Sequence, residues 1–464
     1  MGKVPKKAVR KQIIALIPVC MNGLIVGCSY GWMPNAIYFL LAGEEVSATL
    51  FQCTLIASFP EIGRVLSAIP AGMLTDKYGR KKITIGVAIL HTFAWLGLSL
   101  DNTSIIITYI SRFVIGFGIS LIDATSFISI GEIASPEIRG RLTGIYSIFL
   151  NAGVISVSII AVIFSSYRSL ARGVTILCII SLLSMYWAME TPRFLISISK
   201  SEQAKNNFLK IRQEYQENDV NEEFVKLQKY IVDENTLKSQ LSWRQFLKME
   251  AVRKPLLTGV LLNIFMKLSG GTLFGYYLTS LLPSNNYIPK IYYPLITQTF
   301  LFFISFGLPL FIDSFSRRSM FLFGAAAMVA INMICALANY FLVANEAVSI
   351  FEWVFAMGNI LSSVCTDVIL FPVNRAVRSE LYPQAVKGFG GSLAVISIAL
   401  SDIMLNQMYG FFKAYSHLYF MYFIFLMNSM ILCLVIYFLL PEGCGVALPD
   451  IQMKFKSIKS KHTV

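Results

Sequence analysis

Apolar runs of membrane-spanning length, separated by short polar breaks, follow one another along almost the whole chain. A span of the bilayer core needs roughly 20 apolar residues. On that measure the pattern predicts helices near 12–33, 50–74, 83–101, 105–130, 142–165, 172–190, 255–282, 293–313, 319–343, 348–374, 388–411 and 416–440. One long polar stretch interrupts the series after the sixth run. Within it Phe208, Ile211 and Tyr215, then Phe224, Leu227 and Ile231, recur at three-to-four spacing and predict short amphipathic helices. The chain therefore divides into residues 1–196, a linker 197–254, residues 255–440 and a tail 441–464.

The polar breaks repeat. Asp76-Lys-Tyr-Gly79-Arg80-Lys81-Lys82, between the second and third runs, is answered by Asp313-Ser-Phe-Ser-Arg317-Arg318, between the eighth and ninth. Glu132 with Arg139 and Gly140 is answered by Glu380 with Lys387 and Gly388, and Glu190 before Arg193 by Glu442 after Pro441. Signals that recur in order at about half the chain length describe a duplicated bundle. The expected class is all-α: twelve transmembrane helices in two pseudo-symmetric six-helix bundles, plus short helices in the linker.

With 56% hydrophobic residues, 14% charged and a positive mean hydropathy, the composition excludes an ordinary soluble domain. The net charge of +13 raises the question of nucleic acid. Its location answers it, because most cations fall before the first run, in every second loop, in the linker and in the tail. That is the positive-inside signal, and it places both termini in the cytoplasm and argues against nucleic acid. Three histidines, none sharing a helix face with another, leave no metal-site pattern, and no nucleophile or phosphate-binding constellation points to an enzyme or a cofactor. The cysteines lie mostly within apolar runs and read as small hydrophobes. Asn102-Thr-Ser104 is the single glycosylation sequon, in the predicted outer loop after the third span.

The stretch 72–82, Glu132 to Arg141, Glu190-Thr-Pro-Arg193, Lys267-Leu-Ser-Gly270, Glu380-Leu-Tyr-Pro and Pro441-Glu442 together resemble the sugar porter family of the major facilitator superfamily. Gly27-Cys-Ser-Tyr-Gly31-Trp32 further resembles the insect facilitated trehalose and glucose transporters. The resemblance implies a monomeric multi-pass protein of the plasma membrane. It would carry a sugar such as a hexose or trehalose through a central cavity exposed alternately to each side. It also implies gating roles for Asp76, Arg80, Glu132, Arg139, Glu190, Arg193, Asp313, Arg317, Arg318, Glu380, Lys387 and Glu442, tying the halves together when the cavity faces outward. Proton-driven members carry an aspartate where this chain has Ser29. A hydroxyl does not titrate near neutral pH, so facilitated diffusion is expected.

Sugars are held by planar amides and aromatic rings, and here this chain departs from the family. The paired glutamines of the seventh span are Met266 and Lys267, the asparagine after them is Thr272, and the fifth-span glutamine is Ser147. The tenth-span tryptophan falls on Arg375 and the eleventh-span asparagine on Ile398, while Tyr276 and Tyr277 keep the aromatic pair. The expected cavity residues are thus Lys267, Thr272, Tyr276, Tyr277, Ser147 and Met266. An ammonium at mid-membrane needs a partner or water, so Lys267 is expected to pair with Asp402 or Asp367 or to meet substrate. Three readings follow: a sugar uniporter with altered selectivity, a non-transporting sensor or degenerate carrier, and a carrier of small organic anions.

Overall fold

The computed structural model describes residues 6–43, 45–100, 104–134, 139–212, 222–229, 231, 250–281, 289–311, 316–344, 349–382, 387–415 and 417–440. Among them every regular element is helical. The first half comprises α1 (Lys6–Ala42), α2 (Leu50–Tyr78), α3 (Arg80–Ser99), α4 (Ile105–Ile133), α5 (Arg139–Phe164) and α6 (Tyr167–Ser184). Three short helices follow, α7 (Pro192–Ser197), α8 (Ser201–Arg212) and α9 (222–229). The second half comprises α10 (Glu250–Leu268) with α11 (Gly271–Leu281), α12 (Tyr292–Phe311), α13 (Arg317–Ala344), α14 (Ser349–Val364) with α15 (Phe371–Leu381), α16 (Lys387–Ala414) and α17 (Leu418–Leu439).

Ten of the described helical spans are long and apolar enough to cross a membrane. The other two complete the expected twelve. α2 carries Glu61 and Arg64 within its length, and the apolar part of α12, Tyr292–Ile304, is short. Leu66, Phe93, Phe303 and Phe438 point outward from their helices. Large apolar side chains on the outer surface, with polar ones inside, suit a protein solvated by lipid.

Two predicted spans prove discontinuous, for reasons local to their sequences. The seventh breaks at Ser269-Gly270, where Gly270 takes a φ of +89° that only glycine adopts without strain, and a Cβ there would strike the Phe425 ring. Backbone freed by the break is satisfied: Asn332 Nδ2 donates to the Ser269 carbonyl at 3.0 Å. In the tenth, Cys365–Leu370 widens into a π-turn before Pro372, whose ring cannot donate to the carbonyl one turn back. The two irregular segments abut, because a Cβ on Gly271 would lie 1.7 Å from Thr366 Oγ1. The first span instead runs on through Pro34, beyond its predicted end at 33, with Asn35 Nδ2 donating to the Gly31 carbonyl at 2.7 Å.

Close packing inside the first half depends on paired glycines. Gly27 of α1 and Gly153 of α5 face each other's helix so tightly that an added Cβ would lie 1.8 Å from Leu150 O or 2.0 Å from Leu24 O. Between the halves, α2 and α16 form a long antiparallel seam. Ser392 Oγ donates to Ala68 O at 2.7 Å, and Gln407 Nε2 donates to Ser58 Oγ at 3.0 Å. At the ends of α1 and α11 farthest from the basic loops, Thr279 Oγ1 donates to Pro34 O at 3.2 Å. The halves therefore touch at that end as well as along the α2–α16 seam.

The linker helices are where the apolar periodicity placed them. Phe208 and Ile211 of α8 and Phe224 of α9 are buried, while Tyr215 lies outside the described residues, as do Trp243 and Phe246. Arg212 anchors α8: its Nη1 donates to Ile133 O at 3.1 Å, at the C-terminus of α4, and its Nη2 lies 3.4 Å from Glu223. Cations at a helix C-terminus meet both the orphan carbonyls and the negative end of the helix dipole.

Candidate functional site

The loop between α2 and α3 is the centre of one charged cluster. Arg80 Nη2 lies 2.8 Å from Glu132 of α4 and 3.5 Å from Asp76, and its guanidinium sits over the Phe194 ring. Glu190 accepts from the backbone N–H of Arg80 at 3.0 Å and of Lys81 at 3.2 Å, so it caps the N-terminus of α3, where an anion meets unpaired donors. Arg193 Nε approaches Glu132 at 3.9 Å. Asp76, Arg80, Glu132, Glu190 and Arg193 are thus brought together, and every contact among them joins elements of the first half.

The repeat of this cluster is only partly visible. Arg318 Nη2 donates to Tyr437 O at 2.6 Å and lies over the Tyr437 ring, and Arg317 opens α13 beside it. Asp313 and Glu442 lie outside the described residues, as does Asn102, and the side chains of Arg139, Glu380 and Lys387 do too.

At mid-membrane the second half holds Lys267, 6% exposed, with its Nζ 2.9 Å from Asp402 Oδ2 and 4.7 Å from the Phe371 ring centre. Thr272 Oγ1 faces Asp402 Oδ1 at 3.5 Å. Of the other cavity residues expected from the sequence, Thr272, Tyr276 and Ser147 are half-buried. Met266 and Tyr277 are fully buried: Met266 lies in the apolar interior with Leu262 and Phe321, and Tyr277 stacks on Tyr409 at 4.0 Å and donates to Asn406 at 3.2 Å. Tyr277 follows the break at Gly270, where the helix changes course; Met266 precedes it, on the face of α10 that packs into that apolar interior.

Further charged groups lie nearby. Asp367 projects from the π-turn and Arg375 from α15; both are exposed, and Asp367 lies in electrostatic reach of Lys267 and Arg375. Across from them, Asp123 of α4 is half-buried and accepts from Tyr146 OH at 3.3 Å. No group of three or more His, Cys, Asp or Glu among the described residues is placed to hold a metal ion.

Two constellations escaped the sequence pattern. Glu61 and Arg64, one turn apart on α2, form a buried pair at 2.7 Å. An acid three residues before a base within an apolar run was the signal available for it. Arg112 of α4, 2% exposed, has no acid within ion-pair distance among the described residues. Its Nη1 donates to Ser29 O at 3.3 Å and its guanidinium lies 4.8 Å from the Trp32 ring centre, while Ser29 Oγ donates to Ile25 O at 3.0 Å.

Residues 13–455 match the family model described as "Sugar (and other) transporter". The chain is similar to the facilitated trehalose transporter of Apis mellifera ligustica, with 22% identity over 460 residues covering 96% of this chain and 88% of that one. It is also similar to hexose transporter 2 of Kluyveromyces lactis, with 25% identity over 483 residues covering 97% and 84%. Among solved structures, the inward-open xylose transporter of E. coli superposes with a TM-score of 0.77 at 18% identity, covering 96% of this chain and 99% of that one.

Proposed function

The chain belongs to the sugar (and other) transporter family, and from that premise we propose that it is a facilitative uniporter for a small polyhydroxylated solute such as a hexose or trehalose. It works by alternating access and is a transporter, not an enzyme. In this reading it resides as a monomer in the plasma membrane with both termini in the cytoplasm and Asn102 glycosylated outside. Residues 1–196 and 255–440 act as the two rocking bodies, joined by 197–254.

The observation that carries uniport is the setting of Arg112. Its guanidinium is held by a carbonyl and an indole face, and the neighbouring position of the first span is a hydroxyl that does not titrate. A proton carried with substrate needs a group that gains and loses it during the cycle. The buried acids Glu61 and Asp402 are each engaged by a base of their own half, Arg64 and Lys267.

The Lys267–Asp402 pair also weighs against an organic-anion carrier, because the ammonium is neutralised within the protein. Substrate would meet Thr272, Tyr276, Ser147, Asp123, Asp367 and Arg375. Glu132, Arg80 and their neighbours, with Arg139, Arg317, Arg318, Glu380, Lys387 and the segments around Asp313 and Glu442, would act as the gate. Uptake of radiolabelled hexose and trehalose into proteoliposomes is the test. Saturable flux indifferent to an imposed pH gradient is expected. Flux driven by the gradient overturns uniport, and saturable binding without flux points instead to a sensor.

A further inference from the structure

The seam between α2 and α16 fixes a register. Gln407 reaches Ser58 and Ser392 reaches Ala68, so the antiparallel alignment places Asp402 opposite Glu61, both on the buried face. Two carboxylates then confront each other across the halves, with Arg64 on one side and Lys267 on the other. Their charges are felt across the seam: Glu61 is in electrostatic reach of Asp402 and Lys267, and Arg64 of Asp402. Yet in this state each acid is bonded within its own half, Glu61 to Arg64 at 2.7 Å and Asp402 to Lys267 at 2.9 Å.

Bonding capacity is left over in the quartet. Arg64 Nε is buried without a hydrogen-bond partner among the described residues. Asp402 Oδ2 lies close to the ammonium but without the alignment of a hydrogen bond. Buried ions are costly to leave unpaired, so a structure that keeps both pairs and still has spare valence can exchange partners without baring a charge.

Resting on the uniport reading, we infer that Glu61, Arg64, Lys267 and Asp402 form a partner-exchanging switch that gives the rocking motion two discrete positions. Glu61 and Arg64 are separated by three residues, about 4.5 Å along the helix. A slide of the second half past α2 by that one turn carries Asp402 from opposite Glu61 to opposite Arg64, and the long Lys267 side chain, moving with it, swings off Asp402 to Glu61. With the Thr279–Pro34 contact between the halves made, the pairs lie within halves; with it broken they lie between halves. One-turn steps of packed helices are an established way for an interface to be bistable. The quartet acts through the position of the helices and not by touching substrate.

The test reverses one pair. In a full-length, cysteine-depleted chain, Glu61→Arg with Arg64→Glu keeps the pair within the first half but makes both exchanged contacts like-charged. Outward opening is read by maleimide labelling of a Thr279→Cys reporter from outside, which needs no substrate and so is independent of whether the chain moves sugar. Labelling is expected to slow by about tenfold, the effect of roughly 1.4 kcal/mol on a population. Reversing the second pair as well, Lys267→Asp with Asp402→Lys, is expected to restore it. Unchanged labelling in the single reversal, or no recovery in the double, overturns the switch. If the reversed chain does not reach the membrane, Glu61→Gln with Arg64→Gln is read instead: slowed labelling supports partner exchange and wild-type labelling overturns it.

Discussion

Replacing Lys267 by methionine should destabilise the protein far more than removing the ammonium and its partner together. At 2.9 Å and an effective dielectric of about 20, the attraction between Lys267 and Asp402 is about 6 kcal/mol before desolvation is subtracted. Both side chains are almost wholly buried, so solvent screens little of it. Removing one partner of such a pair typically costs about 3–5 kcal/mol, because the other charge is stranded, whereas removing both is often close to neutral. In this position of the helices Asp402 is left, in the single mutant, with the weak 3.5 Å hydrogen bond from Thr272, because Arg64 is held by Glu61 at 2.7 Å. The assay is thermal unfolding of the detergent-purified protein, followed through the buried Trp32 and Trp95, for Lys267→Met, Asp402→Asn and the double mutant. The single mutants should melt well below wild type and the double mutant should recover most of the difference. A double mutant no more stable than Lys267→Met would refute the reasoning, since it would mean that the loss came from packing and not from an uncompensated charge.

Other consequences can be measured separately. Arg80→Ala should lower maximal flux more than it changes the half-saturating substrate concentration, because Arg80 holds Asp76, Glu132 and the Phe194 ring far from the cleft; a change confined to apparent affinity would count against a gating role. Gly153→Val should prevent accumulation of folded protein, since the new side chain would meet the backbone of Leu24, which cannot yield as a side-chain tip can; size-exclusion chromatography of the expressed chain checks this. Ser29→Asp, placed beside the Arg112 guanidinium, should make uptake respond to an inward proton gradient, and indifference to that gradient would weaken the explanation given for uniport. Arg212→Ala should increase amide exchange in α8 while leaving α3 unchanged, because only α8 depends on that bond to the end of α4.

The twelve spans, the linker helices and the residues of the first charged cluster were legible because each rests on a short-range signal. Length of apolar run sets a span, and a charge burst marks its end. The interruptions were less legible. Lys267-Leu-Ser-Gly270 is apolar enough to read as continuous helix, and its break shows only when Phe425 and Asn332, remote in sequence, are seen to fill the gap and satisfy the carbonyl. The same holds for the π-turn at Cys365–Leu370, where Pro372 gave notice of irregularity but not of its form. Met266 and Tyr277 were expected in the cavity because the family's polar and aromatic positions fall on them, and their burial depends on Leu262, Phe321 and Tyr409, which the resemblance does not specify.

Charges inside spans were the hardest to interpret, and the reason is energetic. A lysine at mid-membrane announces that a partner exists but not on which helix. Asp402 answers Lys267 from across 135 residues of sequence, and Glu61 answers Arg64 from one turn away. What the sequence cannot express is that both answers meet at one seam, because the register of α2 on α16 is set by Ser58, Ala68, Ser392 and Gln407, none of them charged. A lone Lys267 in the seventh span would have stranded a charge in a low-dielectric interior, and a lone Asp402 would have done the same with opposite sign. Lys267 and Asp402 therefore act as one unit, which is why a single substitution within the pair should be worse tolerated than a double one.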